Sequence, residues 1–393
     1  MSTYNTFLGA FCAAHADWEA LLAEPPYSIT VKRSGKYVIF TYSQIASDFN
    51  NPVVRDARGI IFVEGEWECP VCWPFTKFGN YGEGDWVPEI CWPATVTQKV
   101  DGSLIKLWHH DGLWNWSTNG SIFASDAPVA SGKFPTFQAL IDEALSDMDF
   151  PMEYTFASYS DFLEQLDTNK TYLFELTSPY NRVVIPYNRI ELWYLGARDN
   201  KTGKEYLCNE YCLPTGENLS GFNHPAIYYM RSFDDVLTLA KELPWDDEGY
   251  VVVDKFNNRV KVKSPAYVLA HHMRANNNIT RKNLIRVILA NEVSEFCVYC
   301  RDFVEELNAV EELMRSFRST SEHLRTMLKN ILKEYPMTRA EYARLVNALP
   351  SVVRPYLFAS YDRTVDFGDF TSKWNELKWE KVLDAWEACL NEI

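Results

Sequence analysis

The chain has 393 residues, 47% of them hydrophobic and 23% charged, with a formal net charge of −15 at pH 7. That length permits two domains with cores of their own, and the acidic balance excludes a protein that coats nucleic acid through overall basicity. No apolar run reaches the ~18 residues of a membrane-spanning helix, and nine cysteines, an odd number, fit a reducing cytoplasm better than a disulfide framework.

The first segment, MSTYNTFLGAFCAAHADWEALL, has no basic start, and His15, Asp17 and Glu19 interrupt its apolar residues. It predicts one amphipathic helix over 5–23 rather than a signal peptide. Short alternating stretches follow, cut by Gly, Pro and Asn: KYVIFTYS, RGIIFVEG, ATVTQKV-DG-SLIKLW, LWNWST-NG-SIF, TYLFEL, RIELWYLG, GYVVVDK and RVKVKS. These are strand signals, with DG and NG as tight-turn dipeptides. Helical stretches interrupt them at 135–147, 158–166 and 232–242. The fold class is therefore α+β, dominated by antiparallel sheet.

Beyond Pro265 the period changes. Phe303, Leu307, Val310, Met314, Phe317, Leu324, Leu328 and Ile331 recur at three, four and seven, the repeat of an amphipathic helix. Asp302 and Pro336 are its start and stop signals. Further helices are expected over 267–275, 280–299, 338–348 and 372–391. Two domains are expected: 1–265, in which 1–95 leads into a motif-bearing core over 96–265, and an all-helical domain over 266–393.

One short stretch carries chemistry: QKVDGSLI, with Lys99 just before Val-Asp-Gly-Ser. It has two readings. Asp101-Gly102 can be a plain hairpin turn beside an exposed lysine. Alternatively Lys99 is a nucleophile, which requires a neutral amine although the free pKa is about 10.4; nearby cations or desolvation activate it. A lysine attacking a nucleotide α-phosphate needs further cations for the polyphosphate, carboxylates for a metal ion and a tight turn against the nucleotide. Suitable residues follow in order. Glu175 lies in the apolar run TYLFEL, a costly place for an unpaired charge. Glu248-Gly249 opens the strand EGYVVV. In RVKVKS, Lys261 and Lys263 share a strand face with Arg259. From Lys255 to Arg286 there are eight basic residues (Lys255, Arg259, Lys261, Lys263, Arg274, Arg281, Lys282, Arg286) and no acid, which suggests a surface for phosphates.

The order K-x-D-G-S, FE, EGY and K-x-K-S resembles that of covalent nucleotidyltransferases, the ATP-dependent ligases and mRNA capping enzymes. Together with ARGIIF (57–62), TKFGN (76–80), TNGSI (118–122), SPYNRVVIPY (178–187) and KVKSPAYV (261–268), it looks most like the RNA ligases of the T-even phage type, over about residues 25–270. The resemblance implies an antiparallel-sheet nucleotidyltransferase domain of the ATP-grasp-like ligase kind, followed by the helical domain. It also implies an ATP-dependent RNA ligase that joins 5′-phosphate and 3′-hydroxyl ends through lysyl-AMP and RNA-adenylate. Lys99 would be adenylylated. Tyr42, Arg58 and Lys77 match nucleotide-pocket residues, Gly102 the turn at the nucleotide, and Glu175 and Glu248 the acids that hold ribose and metal, the metal through water. Lys261 and Lys263 match phosphate contacts, and Tyr267 the aromatic that follows. The implied cofactors are ATP and Mg²⁺ or Mn²⁺. The implied partner is RNA, a nicked tRNA anticodon loop above all, for a monomer acting in the cytoplasm (a host's, if phage-encoded) without a membrane. Two positions depart from the pattern: Asn119 stands where a lysine or arginine is usual, and Gly79 where an aromatic is common.

Alternatives stay open within and outside this chemistry: a DNA ligase, a capping guanylyltransferase, or a catalytically silent RNA-binding protein. Leu104 stands where DNA ligases usually carry an arginine. Cys69-Pro-Val-Cys72 and Cys297-Val-Tyr-Cys300 admit zinc, but their wide separation favours free thiols.

Overall fold

The protein is described by a computed structural model over residues 4–146, 158–215, 219, 221–273, 279–361 and 365–391. It divides into two compact units, Met1–His271 and His272–Ile393. The division falls within the helix Pro265–Met273, a few residues beyond the expected boundary at 265.

Strands β1 (Ile29–Ser34), β2 (Tyr37–Tyr42) and β3 (Arg58–Val63) form a three-stranded sheet in that order. Next come β4 (Thr95–Gln98), β5 (Ser103–His110), β6 (Leu113–Thr118), β7 (Lys170–Thr177), β8 (Glu191–Asp199) and β9 (Glu205–Leu207). The last are β10 (Ile227–Tyr228), β11 (Gly249–Val253) and β12 (Arg259–Lys263). A four-stranded sheet has the order β10-β4-β11-β12, and a five-stranded sheet the order β6-β5-β7-β8-β9. Every pairing between these strands is antiparallel.

This topology corrects the hairpin reading of Asp101-Gly102. Strands β4 and β5 belong to different sheets, so Lys99–Gly102 is the crossover from one to the other. Its backbone is tied on the way: Gln98 N donates to Ala226 O and Lys99 N to Gly249 O, each at 2.8 Å. Asn119-Gly120 is not a hairpin turn either. It ends β6, and the next residues run into a 3₁₀ turn, Ala124–Asp126.

At the N-terminus two helices, Phe7–Ala14 and Trp18–Ala23, replace the single expected one. Thr6 caps the first by accepting from Gly9 N at 2.8 Å, and His15 takes an extended conformation that ends it. Their apolar faces pack on β2 and β3 around Leu8, Leu22, Phe40 and Phe62. The larger core lies between β5, β7 and β8 and the helices Phe137–Ser146 and Tyr159–Gln165, around Phe162, Tyr172, Phe174 and Tyr194.

The second unit is helical. Its longest helix, Val304–Glu334, buries Leu307, Val310, Phe317 and Leu328 on one stripe, as the periodicity predicts. It starts from Phe303 with no side-chain cap and stops at Tyr335, just before Pro336. Phe317 is wholly buried among the rings of Phe367, Trp379 and Trp386, with centroids 5.7, 6.3 and 5.8 Å away. The expected helix over 280–299 is broken into Arg281–Leu289 and Val293–Tyr299 at Asn291, whose φ of +57° is left-handed. Two short helices, Arg354–Ala359 and Phe367–Thr371, are additional, and the last helix, Glu376–Asn391, starts later than expected. No helix among the described residues is long and apolar enough to cross a membrane.

Candidate active site

A cavity of about 290 Å³ opens between the four- and five-stranded sheets. Of the ten residues expected at a nucleotide site, Tyr42, Arg58, Lys77, Lys99, Gly102, Glu175 and Lys261 line it. They arrive from the end of β2, the start of β3, the segment between β3 and β4, the crossover after β4, and strands β7 and β12. The other three adjoin it. Glu248, just before β11 and almost wholly buried, accepts from Lys99 Nζ at 2.5 Å through Oε2, and Lys263 Nζ lies 3.8 Å from Oε1. Tyr267 stands behind the wall rather than on the lining: its hydroxyl donates to Asp101 Oδ1 at 2.9 Å, and Lys263 Nζ is 5.8 Å from its ring.

The aspartate of K-x-D-G is the clamp of this arrangement. Asp101 is buried, and its Oδ2 accepts from the backbone N–H groups of Val184 and Ile185, both at 2.9 Å. With Tyr267 on the other oxygen, its carboxylate is fully engaged within the fold, so Asp101 fixes the crossover that presents Lys99. Gly102 is required by close approach. A Cβ there would lie 2.5 Å from Leu176 O and 3.1 Å from Glu175 Cγ, so any side chain would push β5 away from β7.

The first charged partner of Lys99 is an acid, Glu248, one of the two carboxylates expected at the site, rather than one of the cations expected to activate the amine. The cations stand further round the cavity. Arg58 stacks on Phe78 with its guanidinium 4.9 Å from the ring centroid, and Lys261 Nζ is 5.8 Å from the same ring. Lys77 Nζ lies over Tyr42 and Phe49 at 5.2 and 4.9 Å. Burial pushes the Arg58 guanidinium below its ordinary value. Burial likewise raises Glu175 to about 7, opposed by Lys99 and Arg58 and reinforced by Glu248. Two carboxylates beside three or more cations form a site built to take a polyanion.

Sequence reasoning did not assign Phe78, although TKFGN contains it. It also missed Lys106 on β5, which is wholly buried and donates to Gly59 O at 2.5 Å, with burial lowering its pKa to about 8. A lysine inside the apolar run SLIKLW was the available signal. Glu205, in the run KEYLC, was a similar one: it pairs with Arg259 and, at 3.5 Å, with Arg198. Asn119 lines the cavity as a neutral side chain. The space at Gly79 is already filled by an aromatic from elsewhere, since a Cβ there would meet the Trp86 ring at 2.7 Å.

Three of the eight basic residues are engaged by acids within their own units. Arg259 is buried on Glu205, Arg281 pairs with Asp384 and Glu387, and Arg286 pairs with Glu376; Arg274 lies outside the described residues. All nine cysteines are free thiols. Among the described residues no group of three or more His, Cys, Asp or Glu is assembled as a metal cage. Glu175 and Glu248 therefore fit a divalent cation that is shared with substrate phosphates better than one held by protein alone.

Residues 56–267, just over half of the chain, match the RNA ligase family model of the T4 type. The chain belongs to the RNA ligase family. It is 30% identical over 271 residues to an Autographa californica nuclear polyhedrosis virus protein named as a bifunctional polynucleotide kinase/RNA ligase, covering 66% of this chain and 37% of that protein's length. It is 25% identical over 348 residues to the RNA ligase of Rhodothermus phage RM378, covering 75% of this chain and 76% of the relative. A solved archaeal ATP-dependent RNA ligase shares 12% identity over 86% of this chain and 76% of its own, with a TM-score of 0.41.

Proposed function

We propose that the protein is an ATP-dependent RNA ligase that works through lysyl-AMP. The carrying observation is the convergence of Lys99, Arg58, Lys261 and Glu175 on one cavity, with Glu248 bonded to Lys99. Membership of the RNA ligase family supports the same reading. Lys99 Nζ attacks the α-phosphorus of ATP: an N–P bond forms, the bond to the β-phosphate oxygen breaks, and pyrophosphate leaves. Glu248 Oε2, 2.5 Å from that nitrogen, takes the proton it sheds. Arg58, Lys77 and Lys261 offset the charge that grows on the phosphoryl oxygens. Mg²⁺, or Mn²⁺, would add charge neutralisation at the phosphates, and Glu175 and Glu248 would hold it. The 5′-phosphate of an RNA strand then displaces Lys99 from AMP, and a 3′-hydroxyl displaces AMP from the activated end. Each step is an in-line exchange at phosphorus, so one set of cations serves all three.

The substrate we favour is a nicked tRNA anticodon loop, with the helical unit contributing to its selection. The test is labelling. Incubation with α-labelled ATP and Mg²⁺ should leave radioactivity on the denatured wild-type protein and none on Lys99→Ala. An unlabelled wild type across metals and pH would overturn the reading. With labelling in hand, sealing of a nicked tRNA stem-loop is compared with sealing of nicked duplex DNA; preference for the DNA would make the protein a DNA ligase.

A further inference from the structure

A second cavity, of about 390 Å³, shares Lys77, Phe78 and Arg259 with the first. It is lined by four cations, Arg55, Lys77, Arg198 and Arg259, against the single carboxylate of Glu205. That carboxylate is spent on Arg259 and Arg198. Arg259 is 6% exposed and its guanidinium lies 3.8 Å from the centroid of Phe75. One of its nitrogens, Nη2, is buried with no hydrogen-bond partner. A buried unpaired guanidinium N–H is costly unless an acceptor reaches it, and an excess of positive charge around it selects an anionic one.

The rim adds a second kind of contact. The turn joining β11 to β12 is pinned by Asp254, whose carboxylate accepts from the backbone N–H groups of Phe256 and Asn258 at 2.8 and 3.0 Å and from the Asn258 amide at 3.0 Å. This held turn presents Phe256 at 66% exposure, with Lys255 Nζ 5.0 Å from its ring. A fixed exposed aromatic beside a basic hollow is the combination that binds single-stranded nucleic acid, where bases stack and phosphates are neutralised.

We infer that this second cavity is the docking site for the 5′-phosphorylated terminal nucleotide of the RNA strand, with the phosphate among Arg55, Lys77 and Arg259 and a base stacked on Phe256. The inference rests on the reading given under Proposed function and extends it: the shared wall of Lys77, Phe78 and Arg259 sets the incoming phosphate beside the cavity that holds the nucleotide. A volume of this size suits one nucleotide rather than a folded duplex.

The test uses the full chain and a short 3′-labelled single-stranded RNA bearing either a 5′-phosphate or a 5′-hydroxyl. Binding is read by fluorescence anisotropy, and single-turnover transfer of AMP is followed from pre-adenylylated protein to the phosphorylated RNA. Phe256→Ala, whose side chain is exposed and removable without disturbing a core, should raise the RNA concentration needed for half-maximal transfer about tenfold. Phe256→Trp should restore it, and ATP-dependent self-labelling should stay at the wild-type level in both. Arg55→Gln should erase the preference for the phosphorylated RNA. An RNA dependence unmoved by Phe256→Ala, or equal binding of the two RNAs to wild type, overturns the site. A defect confined to the ATP dependence of self-labelling also overturns it, because the hollow would then serve the nucleotide's own phosphates. A wild type that fails to label itself defeats the ligase reading instead, and anisotropy still decides whether the hollow binds phosphorylated RNA.

Discussion

The two units of this chain handle charge in opposite ways. The β-rich unit carries acidic and basic side chains inward: Lys99, Glu248, Arg259 and Glu205 are all mostly buried, with Lys99 paired to Glu248 and Arg259 to Glu205. The helical unit carries aromatic rings inward, around Phe317, and spends its ions near the surface, as in Arg281 with Asp384 and Glu387. Buried charge costs stability unless it is paired, and such cost is concentrated where chemistry is done. The first unit therefore carries the cost that accompanies chemistry, and the second does not.

The largest effect should come from removing the amine proposed to react while keeping its charge. Lys99→Arg leaves a cation opposite Glu248 but one that stays protonated at any usable pH, so self-labelling with ATP should fall below detection while the melting temperature shifts little. Labelling of that variant at a tenth of the wild-type rate would break the contrast, since the amine would then not be the acceptor.

Next in size is the ring at the centre of the helical unit. Phe317→Ala should cost about 3–5 kcal/mol in that unit, through lost transfer energy and a cavity between Trp379 and Trp386. Chemical denaturation should then show the helical unit unfolding first, with self-labelling persisting past that transition. Simultaneous loss of both would mean that the units are one cooperative body.

A smaller effect tests the burial of Glu175. Its pKa in the folded chain is about 7 against an ordinary 4.5, so the folded protein holds a proton that the unfolded chain releases between those values. The associated stability is complete below about pH 4.5 and is lost as pH rises through 7. Glu175→Gln should thus stabilise the protein by about 1–3 kcal/mol at pH 8 and by nearly nothing at pH 4.5, even as it impairs labelling. An equal change in melting temperature at both pH values would contradict the shift. The smallest effect belongs to the surface pair Arg286–Glu376, half-exposed at 2.9 Å: Arg286→Gln should cost about 0.2–1 kcal/mol, and less in high salt.

The motif residues were legible because each sits in or beside a strand whose alternation or composition betrays it: a lysine before Asp-Gly, an acid in an apolar run, two lysines on one face. The distal half of the cavity was not. Phe75, Leu195, Leu207 and Pro225 line it, yet nothing in their local sequence distinguishes them from core residues, because only the packing of one sheet against another decides which apolar side chains face a gap. The role of Asp101 was hidden for the same reason, since its partners are at Val184, Ile185 and Tyr267. Element types were read better than their limits. The stripe of Val304–Glu334 follows from period alone, whereas the break at Asn291 is a backbone choice that its side chain permits without requiring. Strand β1, ITVKRS, was overlooked because its charged residues mask an edge strand that pairs in continuous register with β2.

Peptide mapping tests the proposal that geometry at the crossover, and not a depressed pKa alone, selects the amine that takes AMP. Lys106 is the buried lysine whose pKa falls to about 8, yet it points to Gly59 O rather than to the cavity. After incubation with ATP and Mg²⁺, peptide mass spectrometry with fragmentation should locate an AMP adduct on Lys99 and leave Lys106 unmodified. An adduct on Lys106, or none on Lys99, would contradict the account.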